Sequence, residues 1–115
     1  MFLIVAKYLI PNGYRGMAVF PFILMKYDFD KVNQTFVNHE KIHLRQQLEM
    51  LVIPFFIWYI LEYLVRLIQY KNAALAYRNI SFEREAYSNE TNYDYLKKRS
   101  LFQFWNYLTL KQNRF

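Results

Sequence analysis

The stretch from Thr35 to Gln69, TFVNHEKIHLRQQLEMLVIPFFIWYILEYLVRLIQ, carries a helical pattern along its whole length, and one residue, Pro54, interrupts it. Proline has no amide hydrogen and clashes with the carbonyl one turn back, so a helix that meets it kinks or splits. The first half is polar and holds the only two histidines of the chain, His39 and His43. The second half contains Met50 to Leu61, MLVIPFFIWYIL, with no charge, and stays apolar to Ile68 apart from Glu62 and Arg66. Crossing a bilayer takes about 20 apolar residues, and shorter runs are more often buried core helices. A core helix is therefore the preferred reading of residues 50–68, with a membrane-embedded or membrane-surface helix as the alternative.

Upstream, residues 2–10 (FLIVAKYLI) and 17–27 (MAVFPFILMKY) are rich in β-branched and aromatic side chains, and PNGYRG between them holds both glycines. They read as two strands joined by a turn, the second running along an edge or breaking at Pro21. Downstream, Lys71-Asn72 marks a loop, AALAYR a short helix, and ISFEREAYSNETNYDYLKKR a further helical segment. The aromatic SLFQFWNYLTLKQNRF is expected to pack back on the body. Strands followed by helices predict an α+β fold: a small N-terminal β-hairpin or sheet packed on a long, Pro-kinked helix and further helices. At 115 residues, 55% of them hydrophobic, the expectation is one domain spanning 1–115.

The absence of cysteine removes disulfides, thiolate metal sites and cysteine nucleophiles, so any metal must be held by His, Asp or Glu. The net charge of +6 favours acidic partners without naming one. FLIVA is too short for a signal-peptide core, and the start reads as mature protein.

On a helix, His39 and His43 share a face about 6 Å apart in rise, so both imidazoles can address one ion. Glu40, next to the first histidine, reaches a water beside that ion rather than the ion itself, and so reads as a general base. Two neutral imidazoles and a carboxylate would leave zinc cationic with an open position, which brings a bound water's pKa to about 7. The competing reading is two solvated helix residues. For a third ligand, Glu49 falls on another face of the same helix, and Glu62 lies nearly 30 Å along it unless Pro54 breaks the helix completely. Glu83, Glu85 and Glu90 remain, with Asp94 further on. Glu83 and Glu90 share a face, and Glu85 is rotated about 200° from Glu83.

His39-Glu40-Lys41-Ile42-His43 together with Phe82-Glu83-Arg84-Glu85-Ala86 resembles the gluzincin metallopeptidases. The pair is similar to the small single-domain minigluzincins and to the catalytic core of CAAX-prenyl endopeptidases. The resemblance implies a zinc-dependent endopeptidase acting on a peptide or protein substrate, with zinc on His39, His43 and Glu83 and Glu40 as the catalytic base. Where that family has an aspartate this chain has Tyr87, so the carboxylate that orients a ligand histidine is missing or comes from elsewhere. Asn89-Glu90-Thr91-Asn92-Tyr93-Asp94 also resembles the motif of thermolysin-like enzymes, which would make Glu90 the ligand; Glu83 ranks first, then Glu90, then Glu85. Gln46, one turn beyond His43, reads equally as a group behind that ligand or as a surface residue. The resemblance further implies a substrate-binding strand upstream of the helix. FPFILMKY (20–27) is placed for it, although an ordinary strand of the core sheet is slightly preferred.

Two other function classes stand beside the peptidase. One is a membrane-associated or protein-interaction module whose metal site is structural or vestigial. The other is nucleic-acid binding through Lys97-Lys98-Arg99 and the aromatics after it, which is disfavoured because a helix end attracts basic residues and a small core needs aromatics. The expected setting is cytoplasmic, with the inner membrane face as an alternative residence.

Overall fold

The computed structural model describes residues 2–108. Its α+β architecture is a three-stranded mixed sheet with five α-helices, β1 (Phe2–Val5), β2 (Gly16–Val19), β3 (Phe22–Met25), α1 (Gln34–Glu49), α2 (Ile53–Tyr70), α3 (Ala73–Arg78), α4 (Ser81–Asn89) and α5 (Tyr95–Lys98). The strand order is β1-β3-β2, with β1 parallel and β2 antiparallel to the central β3.

This differs from the two-strand expectation. Phe20 and Pro21 form a tight turn, so 17–27 doubles back into β2 and β3 rather than running on as one strand. Residues 2–10 contribute only four strand residues before a 3-10 turn at Lys7–Leu9. The sheet buries Ala18, Ile23 and Met25 against Leu44 of α1, with Leu3 and Phe36 closing the sides. Gly16 allows this close docking, because a Cβ there would lie 2.6 Å from the Leu24 carbonyl oxygen and nearer still to the Phe36 ring.

The predicted kinked helix is two helices meeting at 112°. Asn33 caps α1, its side chain accepting from the Phe36 amide. At the other end Leu51 and Val52 adopt φ of 60° and 63°, so the chain turns sharply before Pro54 enters the first turn of α2, where its missing N–H is not needed. A β-branched residue in the left-handed region costs roughly 1–3 kcal/mol, which the packing on both sides of the corner must offset. Among the described residues, no single helix is long and apolar enough to cross a bilayer.

The expectation of a core helix holds for one face of α2 only. Phe55 packs with Phe82, Ile80 and Phe104, while Glu62 and Arg66 also turn inward; the outer face is apolar and exposed. Phe104, in the 3-10 turn Gln103–Tyr107, bears out the expected return of the C-terminal stretch, whose residues from 109 onward lie outside the described ones.

The helical segment expected over 80–99 breaks at 90–94 into α4 and α5. Arg99 does not project into solvent with Lys97 and Lys98. Its guanidinium is buried, donating to Glu85 of α4 and, at 2.6 Å, to Glu49 of α1. Removing one partner of a buried ion pair leaves an uncompensated charge and costs about 3–5 kcal/mol. We expect Arg99→Met to lose about that much in urea unfolding, and a change within experimental scatter would show that the clamp is not structural.

Candidate metal and active site

The site is built on α1 and closed by α4. The one-turn spacing puts the His39 and His43 rings side by side, both buried, with centroids 4.9 Å apart. Their Nε2 atoms are 3.2 Å apart, and Oε1 of Glu83 lies 3.3 Å from the first and 3.1 Å from the second. Three potential ligand atoms thus form a near-equilateral triangle.

Two polar anchors bring α4 into place. At its start, the Glu62 carboxylate accepts from the Ser81 amide and hydroxyl, both at 2.6 Å, and Arg66 balances its charge at 3.2 Å. A carboxylate there also suits the positive end of the helix. At its finish, the Asn38 amide donates to the carbonyls of Asn89, Glu90 and Asn92 at 2.8–3.2 Å. Glu62 therefore does return toward α4, as an anchor for that helix rather than beside the histidines.

The outer nitrogens of both rings are also held. Nδ1 of His39 donates to Glu90 at 2.7 Å and Nδ1 of His43 to the Gln46 side-chain oxygen at 2.8 Å; both acceptors lack a hydrogen there to give. With Nδ1 carrying the hydrogen, each neutral ring presents its Nε2 lone pair to the triangle. Gln46 is fixed in turn, donating to the Phe82 carbonyl and Glu85.

The three glutamates thus separate by role. Glu83 faces both histidines, Glu90 backs His39, and Glu85 looks the other way toward Arg99, Gln46 and Tyr95. Tyr87, where the resembled motif has an aspartate, lays its ring against His39 with centroids 4.4 Å apart; the carboxylate beside Nδ1 of His39 is that of Glu90. Asp94 lies at the surface with Lys97.

Electrostatics sharpen the arrangement. Burial alone would lower the His43 imidazole, but the Glu83 carboxylate, its hydrogen bond and Glu40 outweigh that and raise it to about 9. Burial would raise Glu83, yet His43 and then His39 hold it far below the usual carboxylate range. The second Glu83 oxygen accepts from the Tyr59 hydroxyl at 2.7 Å, and burial followed by that same carboxylate keeps the phenol protonated. A pocket that binds an extra proton this firmly has the negative potential a cation needs.

Glu40 differs from most of the buried acids. Asp30 pairs with Arg15, Glu62 with Arg66, and Glu49 and Glu85 with Arg99, whereas Glu40, like Glu83, has only histidine as a cationic neighbour, His39 lying 3.9 Å away. Its pKa is raised by burial, against the pull of His43 and His39. Together His39, Glu40 and His43 offer atoms within 4.8 Å of one another.

The donor set fits a tetrahedral N2O ion. Metal–ligand bonds of about 2.0 Å imply ligand–ligand edges of about 3.3 Å, close to the observed triangle. Hard cations prefer all-oxygen shells, whereas imidazole suits zinc and its neighbours. Glu83 serves better than Glu40 as third ligand, because its oxygen sits between both Nε2 atoms.

A groove runs over this site. One cavity of about 410 Å³ has Glu40, His43 and Glu83 on its wall, together with β2, Ile60 and aromatic residues including Phe55, Phe56 and Tyr59. A second, of about 580 Å³, reaches His39, Glu40 and Glu90; Glu40, Tyr14, Gly16 and Tyr77 border both. The strand beside the site is thus β2, an edge strand. The 20–27 stretch considered for substrate binding instead supplies β3, which is paired on both sides and belongs to the core.

Sequence reasoning did not find Tyr59, Asn38 or the anchoring role of Glu62. Nothing marked Tyr59 among eleven tyrosines, while Glu62 stood out as an acid in an apolar run but was weighed only as a ligand. No protein-family model matches the chain, and neither a curated protein nor a solved structure is found to be similar to it.

Proposed function

We propose that the protein is a zinc-dependent metallopeptidase of the minigluzincin kind. The observation that carries the reading is the convergence of His39 Nε2, His43 Nε2 and Glu83 Oε1 within 3.1–3.3 Å of one another, with Glu40 beside them. His39, His43 and Glu83 would hold the ion. When bound, zinc would polarise a substrate carbonyl and acidify a water. Glu40, kept basic by burial, takes a proton from the attacking water and passes it to the leaving amine. The phenol of Tyr59 restrains Glu83 and leaves its other oxygen turned to the histidines. The aromatic walls of the groove hold the substrate and limit water.

A hydrolytic site is favoured over a purely structural one by the groove, since structural zinc is closed by a fourth protein ligand. The test is elemental analysis of the purified chain joined to a cleavage assay on an unfolded polypeptide, with and without chelator. We expect bound zinc and chelator-sensitive cleavage. Zinc without cleavage across varied polypeptides would reject the peptidase, and the absence of any zinc uptake would reject the site.

The groups behind the ligands give a separate prediction. Losing such a partner typically weakens metal binding 10–100-fold. We expect Gln46→Leu and Glu90→Leu each to fall in that range when titrated against a competing chelator, because each releases one ring from its fixed tautomer. Unchanged affinity in both would show that the rings do not depend on them.

A further inference from the structure

We infer that the outer face of α2 docks on an anionic bilayer, with the helix lying in the plane of the surface. This goes beyond the peptidase reading and stands without it. Ile53, Ile57, Leu61, Leu64, Val65 and Ile68 lie on one side of the helix, each between 48% and 76% exposed. The stripe runs about 22 Å at 1.5 Å per residue. The only charged residues of α2, Glu62 and Arg66, are turned inward and bonded to each other. Phe55 packs inward as well, so α2 is apolar on both sides, and an exposed apolar face of this extent marks an interaction site.

Charge identifies the partner as lipid with anionic headgroups. Most carboxylates are buried in the networks described above, and the exposed ones, Asp28 and Asp94, already face Lys31 and Lys97. Lys7, Lys71, Arg78 and Lys98 are exposed, and Lys71 directly follows α2. Trp105, 61% exposed and packed on Trp58 of α2, supplies the kind of ring that settles at headgroup level. A second copy would bring the same net charge of +6 to the contact, which opposes association, whereas an anionic surface attracts it. Ile60 is exposed on α2 and also lines the groove, so the lipid-facing surface leads into the candidate active site.

The test is co-sedimentation of the full chain with vesicles of phosphatidylcholine, alone or mixed with phosphatidylglycerol. We expect binding to the mixed vesicles that weakens with salt and without the anionic lipid. Ile57→Gln combined with Leu64→Gln changes no charge and should lower the partition coefficient about a hundredfold with an unchanged circular dichroism spectrum. Glu40→Gln should bind like the wild type, which separates docking from hydrolysis. The inference is overturned if the wild type stays in the supernatant with anionic vesicles or if the double variant binds equally well. It is also overturned if the wild type is a dimer that the double variant converts to monomer, since the face would then join two copies.

Discussion

Zinc analysis of wild type and His43→Ala should return about one ion per chain for the first and almost none for the second. Zinc held by a structured peptide site is bound with roughly 10–16 kcal/mol, so one of a few ligands carries several kcal/mol, on the order of a hundredfold to a thousandfold in affinity. The Nε2 of His43 lies 3.2 Å from that of His39 and 3.1 Å from Glu83, so its loss opens two edges of the triangle. Glu83→Gln should behave similarly while keeping the bond from Tyr59, since it removes the charge and preserves the shape. Full zinc retention in both variants would mean that the ion sits elsewhere.

Glu40→Gln should keep its zinc and lose about 10²–10⁴ in turnover, the range associated with a positioned general base. The same substitution should leave stability unchanged or slightly higher. Glu40 is a buried carboxylate whose charged form is penalised by burial, and no arginine would be stranded by its removal. A variant that holds the metal, melts no earlier and no longer cleaves separates chemistry from architecture. If it cleaves at the wild-type rate, the base lies elsewhere; if it loses zinc, Glu40 is a ligand.

Local features of the fold were legible in the sequence. AALAYR becomes α3 with the boundaries it suggests, because Asn72 caps it and Lys71 ends α2 in a left-handed conformation. The break at Pro54 was legible as well, but the 112° corner was not: it depends on Leu51 and Val52 accepting a conformation their side chains disfavour. Strand pairing was not legible because 17–25 is apolar throughout, and a continuous apolar run does not show where it doubles back. In the site, a fixed helical spacing made the histidine pair visible. Glu83, Glu85 and Glu90 could be sorted by face but not by partner, because what each meets depends on where Glu62 and Asn38 hold α4. Contacts across such sequence distances leave no local periodicity to read.

The side chain of Gln47 bears on how much of a polypeptide this molecule could grip. Its amide nitrogen donates to the Ala18 carbonyl and its oxygen accepts from the Phe20 amide, so it occupies the far end of the β2 edge as a strand partner would. An incoming chain is left the Gly16 end, a bite of two or three residues at about 3.3 Å each. Backbone pairing over so short a span is weak, so sequence preference should be dictated by one or two bulky side chains seated among the groove's rings, and fragments cut from a long polypeptide should share those residues while varying freely at greater distance from the scissile bond.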